Sequence, residues 1–124
     1  CQSLAPILKR STGSIINIAD VYGQQPLRHY VVYSISKAGL VMMTRSLALE
    51  LAPQIRVNAI SPGAILQPSE HSSADTALVD SMLEKIPLKR TGNASDIAMV
   101  AFYLATNTYV TGQVITIDGG RLIS

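Results

Sequence analysis

The chain has 124 residues and a mass of 13.3 kDa, a length that favours a single domain. Hydrophobic residues make up 48% of it and charged residues 15%, which excludes a disordered tail because such tails lack the apolar surface that offsets ordering entropy. Ten Lys and Arg against eight Asp and Glu give a net charge of +2 without a run of like charge, so nucleic acid is not an expected partner.

Signals for a membrane, for export or for a metal site are missing from the sequence. The longest apolar run, Ala98–Ala105, is far shorter than the roughly 18 to 20 residues needed to cross a bilayer. Lys9 and Arg10 follow the N-terminal apolar residues instead of preceding them, unlike a secretion signal. A single cysteine excludes an internal disulfide, and His29 and His71 do not form a cluster at zinc-ligand spacing. We therefore expect a cytoplasmic protein with no metal site.

The first half of the chain predicts a helix end, a strand and a long helix. Residues Cys1–Arg10 resemble the end of a helix. Ser14–Ala19 is β-branched and nearly continuously apolar, which is typical of a parallel strand covered on both faces, and Asp20 stands where it ends. Helical periodicity then runs from Val32 to Ala52 and is ended by Pro53.

The long helix carries two apolar stripes at helical spacing. One stripe comprises Leu40, Met43, Leu47 and Leu51, and the other comprises Ile35, Ala38, Met42 and Leu49. A helix that is apolar on two sides packs in two directions. The mean hydropathy of +0.28 is also high for so small a monomer, which predicts helices covered by partner subunits or by sequence outside the chain.

The second half predicts two more strands, Ile55–Ile60 and Val114–Asp118, with helices between them. Residues 67–76 form the one polar irregular segment, which we interpret as a mobile flap. A short amphipathic helix follows it, with the apolar residues Leu78, Met82 and Ile86. Asn93 can cap a further helix together with Asp96. The buried stripe of that helix comprises Ile97, Val100, Ala101 and Leu104.

Strand and helix alternate throughout, and each crossover is long enough to carry a helix. This pattern predicts parallel βαβ units and a layered α/β sheet. Three strands make a poor sheet, and a parallel sheet needs both faces covered, so further strands and helices are expected beside Ser14–Ala19. We interpret residues 1–124 as the second half of a fold.

The sharpest chemical pattern is Tyr33 and Lys37, which stand four residues apart and share one face of the long helix. A cation beside the ring, near the positively polarised start of the helix, favours the phenolate. We therefore expect the pKa of Tyr33 to fall from about 10 toward the working pH, which suits proton transfer.

Three segments converge on one edge of the predicted sheet. Asp20 ends one strand and lies thirteen residues before Tyr33, while Pro62 and Gly63 follow the next strand. Ligands of α/β sheets bind outside the carboxyl ends of the strands, so these residues are expected to line a common site.

The chain resembles the short-chain dehydrogenase/reductase family over essentially its whole length. The motifs that carry the resemblance, in order, are GSIINIAD, YSISK, IRVNAISPG, IPLKRTGNASDIA and VTGQVITIDGG. The resemblance implies a Rossmann-type reductase in which Tyr33 is the proton donor. Lys37 would bind the nicotinamide ribose and lower the tyrosine pKa, and the backbone at Pro62, Gly63 and Ile65 would lie beside the nicotinamide carboxamide.

Asp20 departs from the pattern of that family, which usually has serine at this position. An ionised carboxylate accepts hydrogen bonds but donates none, and its negative charge disfavours a neighbouring alkoxide. The carboxylate instead suits a substrate with protonatable ring nitrogens. The run from Asp20 to Leu27 is similar to the corresponding loop of the pteridine reductase branch, which implies NADPH-dependent reduction of a dihydropterin or dihydrofolate with Asp20 and Tyr33 relaying the proton.

Two alternatives stay open. One is a short-chain reductase of a ketone or 3-oxoacyl substrate in which Asp20 is incidental, and the other is a non-catalytic assembly module. None of the eight glycines forms the closely spaced phosphate-binding loop of a dinucleotide fold, so we expect the cofactor-phosphate half to be absent from this chain or to lie on a separate one. The resemblance also implies a homotetramer packed through the long helix. Arg121 is expected to be a surface residue and Asn58 a structural hydrogen-bonding residue.

Overall fold

The computed structural model describes residues 2–65 and 81–124 of the chain. It contains three strands: β1 (Ser14–Ile18), β2 (Arg56–Pro62) and β3 (Val114–Ile117). They form one parallel sheet in the order β1-β2-β3, which confirms the predicted α/β class. The predicted flap at 67–76 and the start of the amphipathic helix after it lie outside the described residues.

The strand register aligns the carboxyl ends of the strands at one edge of the sheet. Ile18 at the end of β1 pairs with Ile60, and Pro62 at the end of β2 pairs with Ile117 at the end of β3. The residues that follow these strands therefore emerge side by side. This edge is where the sequence placed the candidate site.

The helices with both ends in the described residues are α1 (Ala5–Arg10), α2 (Val31–Leu51) and α3 (Ala94–Thr106), and residues 81–84 are also helical. Short 3-10 turns lie at Gln2–Leu4, Val21–Gly23 and Arg121–Ile123. Residues 1–10 were predicted as the end of a helix, and within them the structure describes a 3-10 turn followed by α1, which ends at Arg10. Helix α2 ends one residue earlier than predicted because Ala52, which precedes a proline, is extended.

Helix α2 packs on one face of the central strand. Its buried residues Val41 and Ala48 join Val57 and Ala59 of β2 in the apolar core. These positions alternate along the strand, as expected when one face of a strand meets a helix. The Thr44 hydroxyl of α2 accepts a hydrogen bond of 2.9 Å from the side-chain amide of a strand β1 residue, which ties helix to sheet.

Helix α3 lies on the other face, toward which the alternate residues of β2 point. Arg56 donates hydrogen bonds to the carbonyls of Leu104 and Ala105, and these bonds cap the C-terminal end of α3. Asn58 is fully buried and bonds the backbone of Val110 and Gln113, which confirms its predicted structural role. The start of α3 carries the predicted reciprocal cap between the residues at positions 93 and 96.

One of the two predicted stripes of α2 remains uncovered in the structure. Ile35, Met42 and Leu49 are 65%, 58% and 80% exposed. A Cβ added to Gly39 on the same side would meet nothing within 4 Å. The other stripe packs partly on the sheet through Leu40. Among the described residues, none of the helices combines the length and the apolar character that crossing a bilayer requires.

Candidate active site

A tyrosine and a carboxylate form the centre of the site. The hydroxyl of Tyr33, at the start of α2, donates a hydrogen bond of 2.7 Å to Oδ2 of Asp20, the residue that caps the turn after β1. The second oxygen of Asp20 accepts the backbone N–H of Tyr22 at 2.8 Å. The carboxylate is therefore fixed from both sides, and the phenol, which is 38% exposed, points to it from the helix.

Lys37 lies one helical turn beyond Tyr33, as the sequence predicted. Its Nζ is 5.6 Å from the centroid of the tyrosine ring. The ammonium donates long hydrogen bonds, of 3.4 and 3.3 Å, to the carbonyls of Ile18 and Ala19 at the end of β1. The helix thus brings this cation to the same strand end that positions Asp20.

The pKa shift of Tyr33 is opposite in direction to the one expected from the sequence. The hydrogen bond to Asp20 raises the pKa of Tyr33 to about 12, and burial and the negative charge of the same carboxylate add to the increase. The prediction that Lys37 lowers this pKa toward neutrality was wrong for this arrangement. The reason is that the carboxylate contacts the phenolic proton directly, whereas the ammonium bonds main-chain carbonyls.

A cleft of about 220 Å³ opens at the Asp20–Tyr33 pair. Among the described residues, its remaining walls are Tyr22, Leu27 and Tyr30. The Ser34 hydroxyl accepts the N–H of Leu27 at 3.1 Å and so holds the loop against the first turn of α2. Sequence reasoning named Asp20 and Tyr33 but missed the three wall residues, since nothing in the local pattern of that loop indicates which side chains turn inward.

The other predicted cofactor-binding residues, besides Tyr33 and Lys37, lie at and just after the end of β2, at the same edge. Pro62 ends the strand, and the N–H of Gly63 donates to the carbonyl of Ile117 at 2.9 Å. A Cβ on Gly63 would lie 2.7 Å from the Cβ of Asp118, so only glycine allows this close approach of the two strand ends. Ile65 pairs in a short parallel bridge with Gly92.

A larger cavity of about 500 Å³ lies beyond β3, between its end and residues 87–92. Its described walls include Arg90 and Asp96, which form a 2.9 Å ion pair, but not Asp20, Tyr33 or Lys37. We place the candidate site at the smaller cleft because it holds the phenol and the carboxylate together. The choice between the two cavities therefore rests on the chemical groups that line them and not on their volumes.

Two residues outside the predicted set anchor the loop that follows β1: Gln24, within the loop, and Arg121, after β3. The amide of Gln24 donates to the hydroxyls of Ser61 and Thr116, at 3.2 and 3.0 Å. Arg121, expected to be a surface residue, is partly buried and donates from Nη2 to the hydroxyl of Tyr22 at 2.9 Å. That expectation was wrong because the turn after β3 folds back toward the site.

Of the two histidines, only His29 lies within the described residues, and it does not line the cleft. His29 is an exposed loop residue with φ of 69°, and His71 lies outside the described residues. Within residues 2–65 and 81–124, no group of three or more His, Cys, Asp or Glu side chains is arranged to hold a metal ion.

Comparisons with known proteins agree with the fold. The family model described as "Enoyl-(Acyl carrier protein) reductase" matches residues 1–121. The 3-oxoacyl-[acyl-carrier-protein] reductases of Bos taurus and Thermotoga maritima are each 42% identical over 120 residues, covering 95% and 94% of this chain and 48% of either relative. A protein from Agrobacterium tumefaciens, solved with bound NADP, superposes with a TM-score of 0.88 at 36% identity, over 99% of this chain and 52% of that one.

The parallel sheet with helices on both faces is part of a Rossmann-type α/β fold. The chain belongs to the short-chain dehydrogenase/reductase family. It spans about half the length of the curated relatives it matches.

Proposed function

We propose that the chain is the catalytic part of an NADPH-dependent short-chain reductase that reduces the keto group of a 3-oxoacyl substrate. The observation that carries the proposal is the Tyr33 hydroxyl, which is exposed to the cleft and hydrogen-bonded to Asp20. The similarity to two 3-oxoacyl-[acyl-carrier-protein] reductases supports a keto substrate over the pterin that Asp20 first suggested.

Tyr33 is the proposed proton donor. With a pKa of about 12 its phenol is protonated at neutral pH, so it can give a proton to a carbonyl oxygen that becomes an alkoxide. An alkoxide is a stronger base than a phenolate, so the transfer runs downhill even from a phenol of raised pKa. Asp20 holds the proton in place before the substrate oxygen replaces the carboxylate as its acceptor.

Lys37 is the proposed residue for orientation of the cofactor. Within the described part of the chain, its ammonium has two carbonyl partners, which leaves one of its three N–H groups to donate. A ribose hydroxyl suits that donor. The residues present therefore fit a nicotinamide cofactor, and the proposed backbone contacts come from Pro62, Gly63 and Ile65. When bound, the nicotinamide supplies the hydride. The choice of NADPH over NADH is supported by a structural neighbour that binds NADP.

Reduction of a dihydropterin or dihydrofolate remains the second candidate, because one specific observation favours it. Asp20 is an acceptor fixed beside Tyr33, and an ionised carboxylate at this place suits a protonatable ring nitrogen better than an alkoxide. In that case Asp20 takes part in the proton relay, while in the keto reductase it orients Tyr33.

Partners are proposed from the surfaces left open. The outer edge of β1 has no partner strand within the described residues, and we propose that strands from residues outside this chain, in one polypeptide or in a separate one, pair with it. The exposed stripe of α2 is proposed as a contact in a homotetramer. We also propose a cytoplasmic location, which is consistent with the proposed dependence on a nicotinamide coenzyme.

The test is a paired assay on the full-length protein with NADPH, using a 3-oxoacyl thioester and a dihydropterin. We expect turnover of the thioester, and Tyr33→Phe lowers it by about 10²–10⁴-fold while cofactor binding is retained. Tyr109→Phe is the matched control, because Tyr109 is fully exposed. Unchanged turnover in Tyr33→Phe removes this residue from the mechanism.

Asp20→Ser separates the two substrate classes. In a keto reductase the variant keeps or gains thioester turnover, since serine can donate to the carbonyl oxygen. In a pterin reductase it loses pterin turnover selectively. Equal loss on both substrates contradicts the argument from ring nitrogens.

A further inference from the structure

We propose that Arg121 is a positioning residue that holds Tyr22 as a wall of the substrate cleft. The inference rests on the proposed function, because it requires that the cleft beside Tyr33 takes the substrate. The contact joins two segments that are far apart in the sequence, since Tyr22 follows β1, the first strand, and Arg121 follows β3, the last. Nη2 of Arg121 donates to the Tyr22 hydroxyl at 2.9 Å, and the guanidinium carbon lies 5.8 Å from the centroid of the ring.

The turn that presents Arg121 is itself well fixed. The two carboxylate oxygens of Asp118 accept the backbone N–H groups of Gly120 and Leu122, at 2.9 and 2.8 Å. Gly119 and Gly120 have φ of 65° and 91°, which glycine adopts without strain. The turn therefore leaves β3 in one defined direction, and that direction brings the arginine to the loop after β1.

Tyr22 connects this turn to the reacting groups. Its backbone N–H is bonded to Asp20, and its side chain lines the cleft together with Tyr33. The hydroxyl at the far end of the ring is the atom that Arg121 holds. Tyr22 is thus fixed at its backbone by the site carboxylate and at its tip by the C-terminal turn, so the position of the ring sets the shape of the cleft.

Among the described residues, Tyr22 is the one side-chain partner of Arg121. Within residues 2–65 and 81–124 the ion pair present is Arg90–Asp96, and no carboxylate lies within 4 Å of the Arg121 guanidinium. Loss of the guanidinium is therefore expected to act through Tyr22. The second anchor of the same loop, from Gln24 to Ser61 and Thr116, stays in place when Arg121 is changed.

The first test is independent of enzymatic activity. Amide hydrogen exchange is measured in the full-length protein at positions 23–25, whose N–H groups bond the carbonyls of Asp20 and Val21. We expect Arg121→Gln and Tyr22→Phe each to speed exchange there several-fold, and the double variant to add nothing further, because both remove the same bond. Arg10→Gln, which removes an equal charge at an exposed position, leaves exchange unchanged. Unchanged exchange in Arg121→Gln overturns the proposal.

The second test separates positioning from direct binding of substrate. Arg121→Gln and Tyr22→Phe are both expected to raise KM several-fold with little change in kcat, and Arg121→Lys to restore part of the affinity because an ammonium can donate to the same hydroxyl. A rise in KM confined to Arg121→Gln and to anionic substrates overturns the proposal, because the arginine then binds substrate itself. Wild-type protein without reductase activity contradicts the proposed function, and the exchange measurement then decides the role of Arg121.

Discussion

The carboxylate of Asp20 accepts a hydrogen bond of 2.7 Å from the phenolic hydroxyl of Tyr33, which favours the protonated form of the tyrosine. A serine at position 20 could still accept a hydrogen bond from the phenol, but it would carry no negative charge to favour the protonated form. Asp20 therefore changes the acid-base character of the site as well as its shape. The pKa of Tyr33, raised to about 12, is the measurable expression of this relationship.

Asp20→Asn is expected to lower the pKa of Tyr33 from about 12 toward its ordinary value of 10.0. The amide is nearly the same size as the carboxylate, but it replaces the hydrogen bond to a charged acceptor by a weaker one to a neutral oxygen and removes the negative charge that favours the protonated phenol. The measurement is an NMR titration of the tyrosine ring carbons, with Tyr33→Phe to assign the signal. Glu50→Gln, a loss of charge at an exposed position of α2, leaves the titration unchanged. A Tyr33 signal that titrates identically in Asp20→Asn and wild type contradicts the assignment.

The same shift makes stability depend on alkaline pH. The folded-state pKa of Tyr33 lies above the ordinary value, so the folded protein holds this proton more tightly than the unfolded chain. Its stabilising contribution is complete below pH 10 and is lost as the pH rises toward 12. Thermal unfolding across this range should show a steeper loss in wild type than in Tyr33→Phe, with Tyr109→Phe following wild type. Parallel curves for wild type and Tyr33→Phe would refute the linkage.

Gly23→Ala is expected to pull the loop after β1 away from α2. A Cβ at this position would lie 2.8 Å from the carbonyl carbon of Lys37, in the helix backbone, which cannot shift cheaply. The loop carries Asp20, so its contact with Tyr33 should weaken, and the pKa of Tyr33 should fall. The NMR titration measures this fall. The control is Gly39→Ala in α2. The added Cβ meets nothing within 4 Å, so the pKa of Tyr33 should stay raised in this variant.

Leu49→Glu is expected to dissociate the proposed homotetramer. Leu49 is 80% exposed in the single chain and lies on the uncovered stripe of α2, where a buried carboxylate in an interface would be strongly unfavourable. Sedimentation of the full-length protein measures the change in mass. Thr108→Glu, a similar charge at an exposed loop position, should sediment like wild type. An unchanged mass for Leu49→Glu places the subunit contacts elsewhere.

Local sequence patterns predicted the elements because each has a local cause. The apolar β-branched run of β1, the proline after α2 and the Asn93 cap of α3 each fix one boundary to within a residue or two. The spacing of Tyr33 and Lys37 likewise placed both on one helix face. These are properties of neighbouring residues along the chain.

The sign of the Tyr33 shift and the position of Arg121 have no local cause. The sequence placed Asp20 at the same sheet edge as Tyr33, but the direct hydrogen bond that raises the pKa depends on a loop that turns Asp20 back onto the helix. The position of Arg121 depends on a contact between Tyr22 and a residue 99 positions away. Both contacts depend on the tertiary fold, which brings the segment after β1 against α2 and against the turn after β3.

The two carbonyl bonds of Lys37 also make this ammonium sensitive to the alignment of β1. A slip of the strand by one residue would reverse its side chains and shift the carbonyls that receive the cation. Such a misaligned protein would keep its helical dichroism and lose the proposed reductase activity. Specific activity is therefore a stricter measure of correct refolding for this protein than secondary-structure content.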